Sequence, residues 1–177
     1  CGAGAAGPAL EGGSVKTGMR AVPGAVERVE LKDGHFHLLT IGQKPPQGIC
    51  GSGIVDMLAQ LLLNGWISIQ GKFLPEKSPL IHLEEEEYCV TYAPGLNFYQ
   101  SDIDEFLKTK AAAVTMIYYM LELTGLPADE IGHFYMAGAF GAHISKESAV
   151  TIGMYPDVER EKLVPVGNSY LTGAQML

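Results

Sequence analysis

The chain is short of basic residues, of cysteine and of long apolar runs, and each shortage excludes something. Lysine and arginine number 12 against 20 acidic residues, a formal net charge of −8, and no basic cluster forms anywhere along the sequence. Nucleic-acid binders usually show a basic face, so a nucleic-acid partner is not expected. No apolar run approaches the ~18 residues of a membrane span, and no signal peptide is visible, so no membrane partner is expected either. The three cysteines, Cys1, Cys50 and Cys89, make no Cys-x-x-Cys pair. That argues against a disulfide framework, an iron–sulfur cluster or a structural zinc site within the chain. It points instead to a reducing compartment, the cytoplasm. Two nucleotide signatures are missing as well. There is no Gly-x-x-x-x-Gly-Lys-Ser/Thr loop, and no Gly-x-Gly-x-x-Gly with an acidic residue ~20 positions on.

What is present is a globular composition, 47% hydrophobic with 18% charged residues. At 177 residues the chain is one domain or one lobe of a larger one, long enough to bury about two-thirds of its unfolded surface. It opens with Cys1 in a glycine-rich stretch and closes at Leu177 in an apparent helix, so a piece of a longer polypeptide is expected.

The most informative stretch is His133–Pro156, HFYMAGAFGAHISKESAVTIGMYP. It predicts a strand at Phe134–Ala137, a glycine turn at Ala137–Gly141, and a helix capped by Ser145 and ended by Gly153, with Pro156 just beyond. Such a turn lets a ligand lie against bare backbone, where nucleotides sit in open α/β folds. It is equally a plain strand–helix connection. Two further glycine elements, Gly2–Gly13 and Gly48–Gly53, reinforce the first reading. Unpaired amides at the start of a helix beginning at Ile54 would favour an anion such as phosphate. Ser52 either caps that helix or donates to the phosphate.

Elsewhere the pattern is mixed α/β. Strands are expected at Ala25–Leu31 and His35–Ile41 around the hairpin signal Asp33-Gly34. Ser14–Arg20 reads as the start of a short helix, Trp66–Leu74 as a small hairpin, and Pro75–Glu87 as a loop ending in the solvated acidic run Glu84–Glu87. Strands follow at Glu87–Tyr92 and Leu96–Tyr99. Ser101–Thr124 is the strongest helix, with Ser101 as N-cap and Asp104 three residues on. A last strand, Leu163–Val166, precedes a helix at Ser169–Leu177. On the long helix Lys110 falls on the apolar stripe Ile103, Leu107, Val114, Ile117 and Leu121. Either it snorkels to the edge, or the helix borders a cleft into which Lys110 reaches.

Other chemistry-bearing residues carry less. His35 and His37 share a strand face but lack a third metal ligand at readable spacing. His133 and His143 flank the glycine turn and read as surface residues. Cys1 and Cys50 sit in glycine loops with no His–Asp arrangement to activate them. Glu11 and Asp56 are the carboxylates nearest the glycine elements, either of which could hold a water.

Five ordered motifs carry a resemblance over the whole chain: CGAGAAGPALEGG with GMRA, GICGSGIVDMLAQLLLNG, SDIDEFLKTKAAA, MAGAFGAHI with IGMYP, and VGNSYLTGA. Together they resemble the C-terminal part of the reductive activators of corrinoid proteins, in the superfamily of actin, sugar kinases and heat-shock chaperone ATPases. The resemblance implies an α/β, actin-like (ribonuclease H-like) lobe with a mixed sheet and flanking helices. It implies a parent protein with an N-terminal [2Fe-2S] domain that couples ATP hydrolysis to reduction of corrinoid Co(II) to Co(I), serving a methyltransferase or O-demethylase system. The partners so implied are an adenine nucleotide and a corrinoid protein, with a homodimer as a further expectation. The site residues it implies are Gly12, Gly51, Ser52, Gly53, Lys110, Gly138, Ala139, Phe140 and Gly141. The Asp-x-Gly-Thr hairpins that organise Mg2+ in the superfamily do not occur here. The chain is therefore expected to form one lobe holding the adenosine side of the cleft, to bind adenine nucleotide weakly or not at all by itself, and not to hydrolyse it. An alternative is a non-catalytic lobe for dimerisation or for docking the corrinoid protein, and a sugar- or acid-kinase lobe ranks last.

Overall fold

The structure is a computed structural model, and residues 13–127, 130–137, 141 and 143–167 are described. The helix expected at Ser169–Leu177 lies outside these residues. Among the described residues, three small sheets and three α-helices carry the fold. The first sheet is built from β1 (Ala25–Lys32), β2 (His35–Thr40) and β3 (Gly48–Ile49), in the order β2-β1-β3. β1 and β2 are antiparallel, joined at Asp33 (φ 50°) and Gly34 (φ 77°). Two successive positive φ values give the tight turn whose twist matches the strands. β3 runs parallel to β1 and leads directly into helix α1 (Gly51–Leu63). The apolar period of α1 places Ile54, Val55, Leu58 and Leu61 in the core against Val26 and Val29 of β1.

The second sheet has the order β4-β5-β6, from β4 (Ile81–Glu84), β5 (Glu87–Ala93) and β6 (Leu96–Tyr99). Its strands are antiparallel, with Ile81, Val90 and Phe98 in register and buried on one face. β4 lies inside the segment expected to be a loop. The acidic run is not a solvated coil either. Glu85 and Glu86 form a turn with φ 47° and 68°. Glu84 accepts from the Tyr99 hydroxyl and from Asn97 Nδ2, both at 2.7 Å. Glu87 accepts from Lys16 Nζ and from the Ser101 amide. Burial raises the Glu87 carboxyl, but the Lys16 and Ser101 donors outweigh it and hold it below the ordinary value.

Helix α2 (Gln100–Thr124) follows β6 without a loop and ends at Gly125, which takes φ 66°. The helix begins one residue before Ser101, so Ser101 is not the cap. Asp102 takes that part from within the first turn, where its carboxylate accepts the Tyr99 and Lys16 amides at 2.9 Å each. Burial raises the Asp102 carboxyl above its ordinary value, against the lowering by those two amides. Only Asp102, Ile103 and Phe106 of α2 are buried. Beyond them Leu107 packs half-buried on the core, and the stripe residues Val114, Ile117 and Leu121 face a cleft.

The third sheet pairs β7 (Phe134–Ala137) and β8 (Leu163–Gly167) in parallel. Helix α3 (Lys146–Thr151) lies between them in sequence and packs on α1. Ser145 caps it as expected, its Oγ accepting the Ser148 amide at 3.2 Å, and Gly153 (φ 64°) follows its end. Residues 14–20 form turns rather than a helix, with Gly18 bridging to Ile49. The hairpin expected at Trp66–Leu74 is reduced to one bridge, Ile67 to Phe73. Among the described residues no helix is long and apolar enough to cross a membrane.

Candidate functional site

The start of α1 is a packed glycine element, not a loop. Cys50 occupies the cap position in extended conformation, and no side chain caps the helix. Its amide and its thiol both point at Val26 O, at 3.1 and 3.3 Å. Gly51, Ser52 and Gly53 form the first helical turn and are buried. A Cβ on Gly53 would stand 2.3 Å from Val26 O, so only glycine lets the helix start this close to β1. Ser52 is no cap; its Oγ lies 3.4 Å from Cys50 Sγ. The first intrahelical bond runs from the Ile54 amide to Cys50 O. The amides of Gly51, Ser52 and Gly53 have no backbone acceptor among the described residues. This is the usual arrangement at a helix start, and it favours an anion.

The second part is a cleft of about 330 Å³ between the outer half of α2 and the segment that follows α3. Val114, Ile117 and Leu121 supply one wall, and Gly153, Met154 and Tyr155 the other. Burial alone pushes the Tyr155 phenol up to about 12. Lys110 is half-buried one turn before Val114. Its Nζ lies against Gly153, 3.4 Å from where a Cβ on that glycine would be. It forms no salt bridge with any carboxylate among the described residues. The helix therefore does border a cleft, with Lys110 beside its wall.

The structure thus brings Lys110 to the end of α3, and α3 onto α1 with its Gly51–Gly53 turn. Gly138, Ala139 and Phe140 lie outside the described residues, as do Gly12, Glu11 and Cys1. Gly141 is described and buried, and a Cβ there would press on Met136 at 3.3 Å, so Gly141 itself sits tightly against β7. Asp56 does not face the cleft. It is buried against β1, where its Oδ2 is 3.6 Å from Arg28 Nη1 and accepts the Val29 amide. His133 and His143 are exposed as expected, and His133 stacks on Tyr135. His35 and His37 are exposed on β2 and belong to no three-residue ligand group among the described residues.

A family model described as the C-terminal domain of RACo, the ASKHA domain, matches residues 1–177. The chain belongs to that family. The actin-like α/β fold class expected from the motifs is thereby established. A solved structure of a reductive activator for corrinoid, iron-sulfur protein superposes with a TM-score of 0.87 at 36% identity, covering 96% of this chain and 29% of that one. The corrinoid activation enzyme RamQ of Eubacterium limosum is 34% identical over 188 residues, 97% of this chain and 32% of that protein. The [Co(II) methylated amine-specific corrinoid protein] reductase of Methanosarcina barkeri is 25% identical over 195 residues, 98% of this chain and 34% of that protein. The chain spans about a third of the length of the curated relatives it matches. Within the RACo C-terminal family, its described residues supply a glycine-started helix and an apolar cleft with Lys110 beside its wall.

Proposed function

We propose that this chain is the nucleotide-holding lobe of an ATP-dependent activator that returns a corrinoid protein from Co(II) to Co(I). The observation that carries the reading is Lys110, a half-buried cation without a salt bridge among the described residues, set against Gly153 at the edge of an apolar cleft. A half-buried ammonium with no counter-ion is favoured by an arriving anion. In this reading Lys110 contacts the nucleotide, the amides of Gly51–Gly53 attract phosphate oxygens, and the cleft wall of Val114, Ile117 and Leu121 accepts the base. Gly141 would contact the adenosine in this reading, together with Gly138, Ala139 and Phe140, and Gly12 would serve the phosphate side; these last four lie outside the described residues. ATP supplies the driving force for an otherwise unfavourable reduction. The [2Fe-2S] centre that would donate the electron belongs to the parent protein.

The described residues fit a nucleotide better than they fit Mg2+. Asp56, the acidic residue nearest the glycine turn, is engaged by Arg28, and the cleft offers only Asp157. The lobe therefore binds adenine nucleotide without hydrolysing it. Titration calorimetry with ATP and ADP tests this. Saturable binding, weakened about tenfold or more by Lys110→Ala through loss of a charged hydrogen bond, supports it. Turnover of ATP by this chain, or binding indifferent to Lys110→Ala, sinks it.

A second reading, a dimerisation or docking lobe, is favoured by a different observation. Tyr118, Tyr119, Leu123 and Leu126 are exposed along the outer end of α2. No nucleotide binding, together with a stable dimer in sedimentation, would favour it.

A further inference from the structure

The face of the β4-β5-β6 sheet opposite Ile81, Val90 and Phe98 carries a cluster, with Cys89 fully buried in it, that the nucleotide reading does not use. His82 and Cys89 are directly opposed across β4 and β5, and Cys89 is opposed to Tyr99 on β6. Glu84 is two residues along β4 from His82, so it shares that face. His82 Nε2 lies 3.4 Å from Cys89 Sγ, and Glu84 Oε2 lies 3.7 Å from the same sulfur. The three ligand atoms all fall within 4.8 Å of one another.

We propose that His82, Glu84 and Cys89 form a binding site for a borderline-soft divalent cation of the Zn2+ class. The geometry is close to what such an ion requires. Zn–S near 2.3 Å and Zn–N near 2.0 Å at tetrahedral angles set sulfur-to-ligand edges of about 3.5 Å, and the two observed edges bracket that value. The donors are also pre-oriented. His82 Nδ1 lies 3.2 Å from Leu80 O, which fixes Nδ1 as the protonated nitrogen and leaves the Nε2 lone pair facing the sulfur. Asn97 Nδ2 and the Tyr99 hydroxyl both donate to Glu84 Oε2, the same oxygen that lies nearest the sulfur, and so hold the carboxylate beside it. A sulfur, an imidazole and a carboxylate together disfavour Mg2+ and Ca2+, which take oxygen ligands. On binding, the Cys89 S–H bond breaks, its proton leaves to solvent and the thiolate bonds the metal. Three protein ligands leave the fourth position to water. No Cys-x-x-Cys spacing marks such a site, because its ligands converge across β4 and β5.

The test uses the chain with Cys1→Ser and Cys50→Ser, so that Cys89 is the one thiol. Titration with Co2+ is expected to raise a thiolate-to-cobalt absorption band that saturates at one equivalent. Zn2+ should displace the cobalt, with a dissociation constant of about 1 μM or tighter. Cys89→Ser is expected to abolish the band. His82→Ala should weaken binding more than a hundredfold and Asn97→Ala about tenfold, as loss of a ligand and of a ligand's support respectively. Far-UV circular dichroism checks that each variant is folded. The absence of any thiolate band in the parent protein, which needs no variant to fold, would overturn the proposal. A band that survives Cys89→Ser would overturn it equally.

Discussion

Replacing Gly53 with alanine tests whether the glycine start of α1 is a packing requirement. The added methyl would meet Val26 O at 2.3 Å and Ile49 Cγ1 at 2.8 Å. Ordinary contacts begin near 3.5 Å, so the helix start must withdraw from β1 by about 1 Å. Val26 O cannot yield, because it already accepts the Cys50 amide and thiol. Overpacking of this kind costs about 1–3 kcal/mol, and backbone on one side places it at the upper end. Alanine recovers about 0.5–1 kcal/mol of helix propensity. The net expectation is a loss of about 2 kcal/mol, or about 4–8 °C in Tm for a domain of this size. Urea unfolding should show the same loss with an unchanged m-value. Gly65→Ala is the control. Gly65 has φ 67° with nothing within 4 Å, so only left-handed strain of about 1 kcal/mol applies. A Gly53→Ala chain that melts at or above the parent, while Gly65→Ala loses stability, would refute the reasoning.

Other outcomes follow from single contacts. Asp102→Ala leaves the part-buried Tyr99 and Lys16 amides without their acceptor and should cost about 1–3 kcal/mol in chemical unfolding, as two lost hydrogen bonds at about 0.5–1.5 kcal/mol each. Ser145→Ala removes the cap of α3 and should lower stability by about 1 kcal/mol, read as a Tm loss of about 2–4 °C. The Glu87 carboxyl is held below its ordinary 4.5 in the folded chain. Its contribution is therefore complete above that value and is lost as pH falls through the depressed folded one. Urea midpoints measured across that acid range should fall less steeply for Glu87→Gln than for the parent. Its partner Lys16 is raised above 10.5 by the Glu87 hydrogen bond, so the pair adds no pH dependence near neutrality.

Local signals were legible where the cause is local. Asp33-Gly34 needs only two adjacent residues that tolerate positive φ, and it forms the β1–β2 turn. Ser145 and Gly153 bound α3 by chemistry within one turn. The apolar period of α1 needs only its own spacing. What escaped the sequence depends on residues far along the chain. Gly51–Gly53 reads as loop until Val26 is seen pressing on it. β4 hides in an acidic run because its charges are answered by Tyr99, Asn97 and Lys16. Asp56 reads as a free carboxylate until Arg28 is placed beside it. Lys110 shows the intermediate case, in which the stripe was correct but its burial stops at Phe106.

Among the described residues, helix α2 is anchored in the core at one end. Its buried anchors stop at Phe106, and the rod continues to Thr124, about 27 Å further at 1.5 Å per residue. It is therefore a lever with its pivot inside the core. A tilt of about 5° about that pivot swings the far end by about 2 Å but shifts Lys110, one turn out, by only about 0.5 Å. The aperture of the cleft and the position of its cation are thus mechanically separate. The mouth can widen or narrow to admit a guest while the charge that meets the guest stays almost where it was.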